Sequence, residues 1–258
     1  MSFLTTVESK ISNKFEKNGY LISKAESKKS LSYIYENILR YLNKIIRGKK
    51  ISDLNKIHKF IDKKNVNEFR LEILNYMAKD KNFRYHYFNL ARNSLYALVG
   101  NELVMQKAIN LSIQLPMDNS SLLPIHSDVW SGDSEFEINI WLPLVNCYDS
   151  KSMYILEQKN YEYFLKGMKK KVSDSEKIFQ KIKNKLKWID IKYGNFLIFN
   201  QCLPHGNVVN TTNETRWSMN CRFKNLFSPY GDKKIGEFFR PITTRVMTKI
   251  AINYKSPF

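Results

Sequence analysis

The sequence is poor in cysteine, and the pattern of the few cysteines excludes two kinds of site. The 258 residues include 3 cysteines, Cys147, Cys202 and Cys221. Their number is odd and their spacing is wide, so they form neither a disulfide framework nor a CxxC pair of the kind that binds zinc. We therefore expect reduced thiols and a cytoplasmic location.

Long apolar runs and targeting segments are also missing. No uninterrupted apolar stretch approaches the length that spans a bilayer, and the N-terminus lacks the basic region and apolar run of a secretory signal. The sequence contains no Gly-rich phosphate loop, no GxSxG pattern and no internal repeat. We expect a protein without a membrane span.

Acidic residues are scarce relative to basic ones. There are 24 Asp and Glu against 42 Lys and Arg, a formal net charge of +18. Such an excess suits a polyanionic partner such as nucleic acid. However, the lysines are interleaved with acids, mainly on the N-terminal helices and over 166–187, and they form no aromatic-studded stripe. We therefore interpret the charge as composition bias that could still attract a small anionic substrate.

The spacing of the hydrophobic residues along the chain changes near residue 110. Before it, Leu31, Ile34 and Ile38 begin a series of apolar residues at helical spacing. After it, segments with strand-like alternation dominate. The predicted strands lie at 111–116, 135–142, 152–156, 188–192, 196–200 and 217–223, and 188–200 is predicted to form a hairpin around Gly194.

These patterns predict an α+β protein with a double-stranded β-helix core, also called a jelly roll or cupin-like fold. A helical N-terminal half, 1–105, would pack on the core at 106–230. A lysine-rich helical insert is predicted at 159–186, and the tail 231–258 stays unassigned. We expect one domain over 1–258.

A histidine and a carboxylate stand two positions apart in the loop before the strand at 135–142. They are His126 and Asp128. A second core histidine, His205, precedes Gly206, which would let the backbone come close to a neighbour. Two imidazoles and one carboxylate on one face of Fe(II) leave three coordination positions open. The three side chains are therefore our candidate metal ligands.

An arginine follows the second histidine by eleven residues, in the pattern Arg216-x-Ser218. Alternation puts both on one face of the last predicted strand with Asn220 and Arg222. Inside a small barrel, guanidinium groups are costly without anionic partners. A dicarboxylate could supply one, held by Arg216 in a bidentate pair and by the hydroxyl of Ser218. The alternative is a solvent-exposed face with ordinary surface arginines.

Two other metal sites fit part of this pattern. A zinc hydrolase could use the same ligands, but Arg216 and Ser218 would have no obvious role in it. A cupin-like binding or isomerase site would more often use additional histidines, and this core has two. Both alternatives stay open at this point.

Four segments resemble the Fe(II)/2-oxoglutarate-dependent oxygenases. The segments Pro124–Ser134, Trp141–Val145, Lys151–Leu156 and Arg222–Tyr230 are similar to the phytanoyl-CoA hydroxylase-like branch. More narrowly, they resemble the oxygenases of bacterial carbohydrate-biosynthesis clusters. The resemblance covers about 110–230 well and the helical half only loosely.

The resemblance implies iron ligands at His126, Asp128 and His205, and a 2-oxoglutarate arginine at Arg216. It also implies Fe(II), 2-oxoglutarate and O2 as cofactors, with oxidative decarboxylation of 2-oxoglutarate to succinate and removal of a substrate hydrogen. Hydroxylation is the default outcome. Because the ligand carboxylate is present, the sequence does not resemble the halogenating branch.

The remaining candidates are polar or aromatic residues expected near the pocket. We assign cofactor binding to Ser218, Gln114, Asn139 and Ser152, and substrate binding to Trp130, Asp133, Trp141, Asn220 and Arg222. The expected substrate is a sugar or nucleotide-sugar, because aromatic faces beside hydroxyls and a carboxylate suit sugars. An acyl thioester, or a non-catalytic basic protein that binds nucleic acid, is the alternative. The oligomeric state is not predicted.

Overall fold

The computed structural model describes residues 3–46, 48, 50–167 and 174–256 and combines helices with antiparallel sheets. The α-helices are α1 Thr6–Asn18, α2 Lys28–Ile45, α3 Val66–Lys79, α4 Phe83–Asn89, α5 Arg92–Val99, α6 Gln158–Gly167, α7 Ser175–Ile182 and α8 Val246–Ile252. The strands are β1 Tyr20–Lys24, β2 Leu103–Gln106, β3 Asn110–Gln114, β4 Glu137–Pro143, β5 Tyr154–Leu156, β6 Leu186–Trp188, β7 Asn195–Asn200, β8 His205–Gly206, β9 Arg216–Asn225 and β10 Phe239–Pro241.

The strands form two sheets. The larger has the order β1-β7-β4-β9-β2-β10, with β3 also paired to β9, and the smaller has the order β6-β5-β8. Every strand pair within the described residues is antiparallel. The predicted combination of helices with antiparallel β-structure is therefore confirmed.

The N-terminal half is mainly helical, but it also contains strand β1, 3₁₀ turns and the start of β2. Helix α1 begins with a capping box between Thr5 and Glu8 and ends at Gly19, whose φ of 75° suits glycine. The apolar residues expected at 54–61 lie partly in a 3₁₀ helix, Leu54–Lys59. Strand β2 begins at Leu103, inside the segment predicted to be helical.

The hairpin predicted over 188–200 is wrong. Its first part, β6, pairs with β5 in the smaller sheet, whereas β7 pairs with β1 and β4 in the larger sheet. Between them, the amide of Ile189 donates to the carbonyl of Met153, and Ile191 exchanges hydrogen bonds with Cys147. Alternation identifies the two strands but cannot choose their partners, since the backbone groups are the same in every strand.

The regions after the core strands contain further elements. The insert holds α6 and α7, and its part at 168–173 lies outside the described residues. The tail contains β10, which pairs with β2, and α8. None of the described helices is long and apolar enough to cross a membrane.

One apolar core connects the helical half to the larger sheet. Ile34 and Leu42 of α2, Ile140 of β4 and Trp217 of β9 all belong to it and are buried. The same core includes Ile155 of the smaller sheet. The helices therefore support the strands that carry the candidate site.

Candidate metal centre

The three candidate metal ligands come from two segments that are joined by backbone hydrogen bonds. His126 and His205 form an antiparallel bridge, with N–O distances of 2.9 and 2.8 Å. The amide of Asp128 donates to the carbonyl of Gln201 at 3.1 Å. A Cβ at Gly206 would lie 2.6 Å from the hydroxyl oxygen of Tyr154, so glycine permits this close approach.

The ligand atoms of the three side chains converge. They lie within 4.8 Å of one another in a cluster that could hold a metal ion. The Oδ1 atom of Asp128 is 3.5 Å from Nε2 of His126 and 3.9 Å from Nε2 of His205. Neighbouring ligands about 2.1 Å from an ion are roughly 3 Å apart, so this arrangement is close to a coordination shell.

Both imidazoles are oriented by backbone carbonyls. Nδ1 of His126 lies 2.9 Å from the carbonyl oxygen of Pro124, and Nδ1 of His205 lies 2.9 Å from that of Leu203. A carbonyl only accepts, so each Nδ1 carries a hydrogen, which leaves Nε2 as the possible ligand atom of each ring. Both Nε2 atoms face Asp128, as metal ligation requires.

The charge states also suit metal binding. Burial lowers the pKa of His205 to about 4, although the charge of Asp128 opposes the shift, so this imidazole is neutral near pH 7. Burial alone would raise the pKa of Asp128. Its interactions with His126, His205 and Arg222 outweigh burial and hold that pKa well below its usual range. The cluster thus offers a neutral imidazole at His205 and a carboxylate at Asp128.

A cavity of about 70 Å³ lies beside His205 and extends to Arg216. This is roughly five times the minimum space for one water, so it suits a small ligand. The lining residues are Ser112, Leu123, Trp141, Met153, Phe199, His205, Gly206, Asn207, Arg216, Ser218 and Asn220. One candidate metal ligand, His205, and the arginine expected to bind a carboxylate, Arg216, therefore line one cavity.

Arg216 is buried without an anionic partner. Its NH1 donates to the carbonyl of Ser152 at 3.3 Å, its NH2 donates to Oγ of Ser112 at 2.9 Å, and its Nε has no partner. Within the described residues, no carboxylate lies within 4 Å of this guanidinium. Burial lowers its pKa to about 10, which leaves it charged at pH 7. A charge buried in this way needs an anion from outside the chain.

Four other predicted residues lie at this cavity or at the metal cluster. Ser218, Asn220 and Trp141 line the cavity. Asn139 is buried, and its Nδ2 lies 3.4 Å from Oδ2 of Asp128, on the carboxylate oxygen that does not face the imidazoles. Asn139 is therefore placed to orient the ligand carboxylate.

Gln114 and Ser152 are buried, and protein groups already occupy their donors. Gln114 donates through Nε2 to the carbonyl of Val208 at 2.7 Å, whereas its Oε1 has no partner. The hydroxyl of Ser152 donates to the carbonyl of Ile189. Ser152 thus reaches Arg216 through its backbone carbonyl and not through its side chain.

The other predicted substrate residues, Trp130, Asp133 and Arg222, do not line this cavity. Arg222 NH2 lies 3.0 Å from Oδ1 of Asp128, and its Nε lies 3.5 Å from Oδ1 of Asp133. Asp133 is buried and also pairs with Lys233. Trp130 is 45% exposed, and its ring stacks near Phe164 at 6.3 Å. The two charged residues therefore form a buried network behind the metal cluster.

The structure adds two residues that sequence analysis did not select. Ser112 accepts from Arg216, and it shares the polar face of β3 with Gln114, so the same alternation contained its signal. Oε1 of Gln201 accepts from Nε of Arg222 at 3.1 Å, and its Nε2 donates to Glu137 at 3.0 Å. No sequence pattern pointed to Gln201.

Comparison of the sequence finds no family model and no curated protein that matches this chain. Comparison of the structure finds similar folds. The apo form of ThoJ, a non-heme monooxygenase, aligns with a TM-score of 0.58 over 91% of this chain and 84% of its own, at 13% identity.

Two further solved structures are similar at the same level. SnoK, a non-heme α-ketoglutarate-dependent carbocyclase from nogalamycin biosynthesis, has a TM-score of 0.56 over 93% of this chain and 97% of its own, at 12% identity. HygX from Streptomyces hygroscopicus, with nickel and 2-oxoglutarate bound, has a TM-score of 0.51 over 90% of each chain, at 13% identity. At such identities, the similarity shows a shared fold, and this fold is one that 2-oxoglutarate enzymes use.

Proposed function

We propose that this protein is an Fe(II)/2-oxoglutarate-dependent oxygenase that acts on a small molecule. One observation carries the proposal. His205 of the convergent metal cluster and the buried, anion-free guanidinium of Arg216 line the same small cavity. A zinc hydrolase would explain the cluster but not Arg216. A ligand with a carboxylate at one end and metal-binding oxygens at the other would satisfy both.

The residues of the chain fit these cofactors. His126, Asp128 and His205 would hold the iron, and Arg216 and Ser218 would hold the distal carboxylate of 2-oxoglutarate. When bound, iron with 2-oxoglutarate and O2 would oxidise a C–H bond of the substrate. We expect hydroxylation as the result. The protein orients both imidazoles through backbone carbonyls, orients Asp128 through Asn139 and limits the cavity to a small ligand.

The finer structural assignments belong to the same proposal. We assign the two antiparallel sheets to a double-stranded β-helix, within one domain over 1–258. The apolar core shared by the helices and both sheets supports a single unit. We assign the protein to the phytanoyl-CoA hydroxylase-like branch and its carbohydrate-cluster subfamily because the four sequence segments resemble those enzymes. The cytoplasmic location stays a prediction.

The substrate that we favour is a sugar or nucleotide-sugar. The resemblance supports it, and so does Trp130, whose half-exposed ring beside Phe164 offers an aromatic face for the C–H groups of a sugar. Asp133 gives less support than expected, because its carboxylate is buried in ion pairs. An acyl thioester remains the alternative within the same chemistry.

The test begins with cofactor binding in the absence of oxygen. Fe(II) followed by 2-oxoglutarate should give a weak visible charge-transfer band, and oxygen should then yield succinate. The variants His126→Ala and His205→Ala should lose both signals. The matched control His86→Ala should keep them, since His86 stacks on Tyr33 in the helical half. Absence of the band and of succinate in the wild type would refute the oxygenase proposal.

The substrate is tested separately by the stimulation of 2-oxoglutarate turnover. The panel contains nucleotide-sugars, acyl thioesters, free amino acids and oligonucleotides. Stimulation by a sugar compound supports the substrate proposal. Stimulation by an acyl thioester or an oligonucleotide alone would refute the sugar and leave the oxygenase chemistry standing.

A further inference from the structure

The larger of two neighbouring cavities lies outside the candidate metal centre. It has a volume of about 660 Å³, against about 70 Å³ for the cavity that holds Arg216. Its lining residues are Leu74, Asn75, Met77, Ala78, Asp80, Lys81, Phe83, Arg84, Lys107, Ala108, Ile109, Asn110 and Arg240. Ligand sites commonly have about 300–1,000 Å³, so this cavity has the size of a site for a nucleotide-sized molecule.

The wall of this larger cavity carries a surplus of positive charge. Lys81, Arg84, Lys107 and Arg240 contribute four cations from three separate segments. Among the described lining residues, Asp80 is the single carboxylate. Its oxygens already accept from the hydroxyl of Tyr33 at 2.8 Å and from the amide of Asn82 at 2.9 Å, which reduces its ability to neutralise the cations.

Arg84 supports an anionic occupant more directly than the surface lysines do. Its NH2 donates to the carbonyls of Met105 and Gln106, which holds the guanidinium against the C-terminal end of β2, and its Nε is buried without a partner. Burial, and then the charge of Arg240, lower its pKa. No salt bridge to a described carboxylate relieves this charge, so an anion in the cavity would stabilise it.

A direct contact links the two cavities. Nδ2 of Asn110, in the wall of the larger cavity, donates to Oδ1 of Asn220, in the wall of the smaller one, at 2.8 Å. The side chains of Asn110 and Asn220 therefore separate a ligand in the larger cavity from the cavity of Arg216. The smaller cavity has no room for a nucleotide together with the group to be oxidised.

We infer that the cavity between Lys81, Arg84, Lys107 and Arg240 binds the nucleoside diphosphate portion of the substrate, beside the cavity where its other end is oxidised. The inference rests on the proposed function. The cations would hold the diphosphate oxygens, and the apolar wall around Ile109 and Met77 would contact the base. Nucleotide-sugars and coenzyme A thioesters share this diphosphate chemistry, so the experiment must separate them.

The test measures binding of UDP, ADP, coenzyme A and inorganic pyrophosphate to the full chain by calorimetry at low and moderate salt. The test variant carries Lys81→Glu and Arg240→Glu, both at exposed positions. The control carries Lys10→Glu and Lys14→Glu on α1, which are exposed and change the net charge equally. Lys81→Ala alone is a milder variant if the double reversal does not fold.

We expect a nucleoside diphosphate to bind the wild type and the control alike, and to bind the test variant roughly tenfold more weakly. A preference for UDP or ADP supports a nucleotide-sugar, and a preference for coenzyme A supports a thioester. Equal weakening in the control, binding of pyrophosphate as tight as that of UDP, ADP and coenzyme A, or no binding to the wild type would overturn the inference.

The charge-transfer band with Fe(II) and 2-oxoglutarate separates this inference from the proposed function. The band should persist in the test variant, because neither substituted residue lines the smaller cavity. Loss of nucleotide binding with an intact band supports the inference. Absence of the band in the wild type would instead refute the oxygenase proposal, whatever binds in the larger cavity.

Discussion

Replacing Arg216 with alanine should weaken 2-oxoglutarate binding while iron binding changes little. Arg216 is 3% exposed, keeps its charge because its lowered pKa is still about 10, and has no carboxylate partner among the described residues. A bound carboxylate would thus lose its main partner in the variant. Truncation of one member of such a buried charged pair costs about 2–5 kcal/mol, which corresponds to about thirty-fold to several thousand-fold in affinity.

The assay is the thermal shift that 2-oxoglutarate produces in the anaerobic protein with Ni(II) bound. At about one hundred times the dissociation constant, a ligand stabilises the folded state by about 2.7 kcal/mol. For a chain of this size, the shift is about 5–10 °C. Arg216→Ala should lose about two thirds of this shift or more at the same concentration. Arg216→Lys should recover only part of it, because an ammonium group cannot make a bidentate pair.

A matched control is Arg92→Ala, because Nε of Arg92 is likewise buried without a partner and Arg92 does not line the cavity. Without ligand, the melting temperature of Arg216→Ala should be at most a few degrees below that of the wild type, since an unpaired buried charge stabilises the fold little. Normal 2-oxoglutarate affinity in Arg216→Ala would refute the assignment, and Arg222 would be the next arginine to test.

Three further predictions follow from the same contacts. His126→Ala and His205→Ala should each abolish Ni(II) binding, measured by calorimetry, and succinate production, while circular dichroism stays that of the wild type; undiminished succinate in both variants would contradict the ligand assignment. Arg222→Gln should destabilise the metal-free protein by about 3–5 kcal/mol, because it leaves the buried Asp128 uncompensated, and Ni(II) should then raise its melting temperature more than that of the wild type. An equal metal-induced shift in both proteins would argue against this coupling. Burial lowers the pKa of Lys224 to about 8, against 10.5 for the unfolded chain, although Glu137 opposes the shift. Between these values, the unfolded chain holds the proton that the folded chain lacks, so Lys224 should contribute a rise of the free energy of unfolding with pH on the order of 2–3 kcal/mol. Denaturation at pH 7.5 and 10 should show this contribution as the difference between the pH dependence of the wild type and that of Lys224→Met, and the same pH dependence in both would refute the assignment.

The periodicity of the apolar residues determined most elements of the fold. Alternation placed β3, β4 and β9 within a few residues of their positions, and helical spacing placed α2. These patterns are local, because a side chain's face depends only on its neighbours along the chain. Pairing is not local, and the sequence therefore missed that β6 and β7 belong to different sheets.

The residue types of the candidate site were visible in the sequence, but their environments were not. His126, Asp128 and His205 could be selected by spacing, and Arg216 by its distance from His205. Whether Arg216 meets a carboxylate of the chain depends on which strands surround it. In the structure, Arg216 contacts the hydroxyl of Ser112 and the backbone carbonyl of Ser152. These neutral partners favour an anion-binding site over an internal salt bridge.

The tertiary structure alone decided the roles of the other charged residues. Arg222 shares the polar face of β9 with Arg216, so alternation could not separate the two. Arg222 lies beside Asp128 and Asp133, whereas Arg216 lies beside the cavity. Likewise, Lys233 reaches Asp133 from a segment 100 residues further along the chain. The sequence by itself determined which groups could do chemistry, and the packing of distant segments determined which of them are already paired, because the charge state and partners of a buried group depend on neighbours that the linear sequence does not specify.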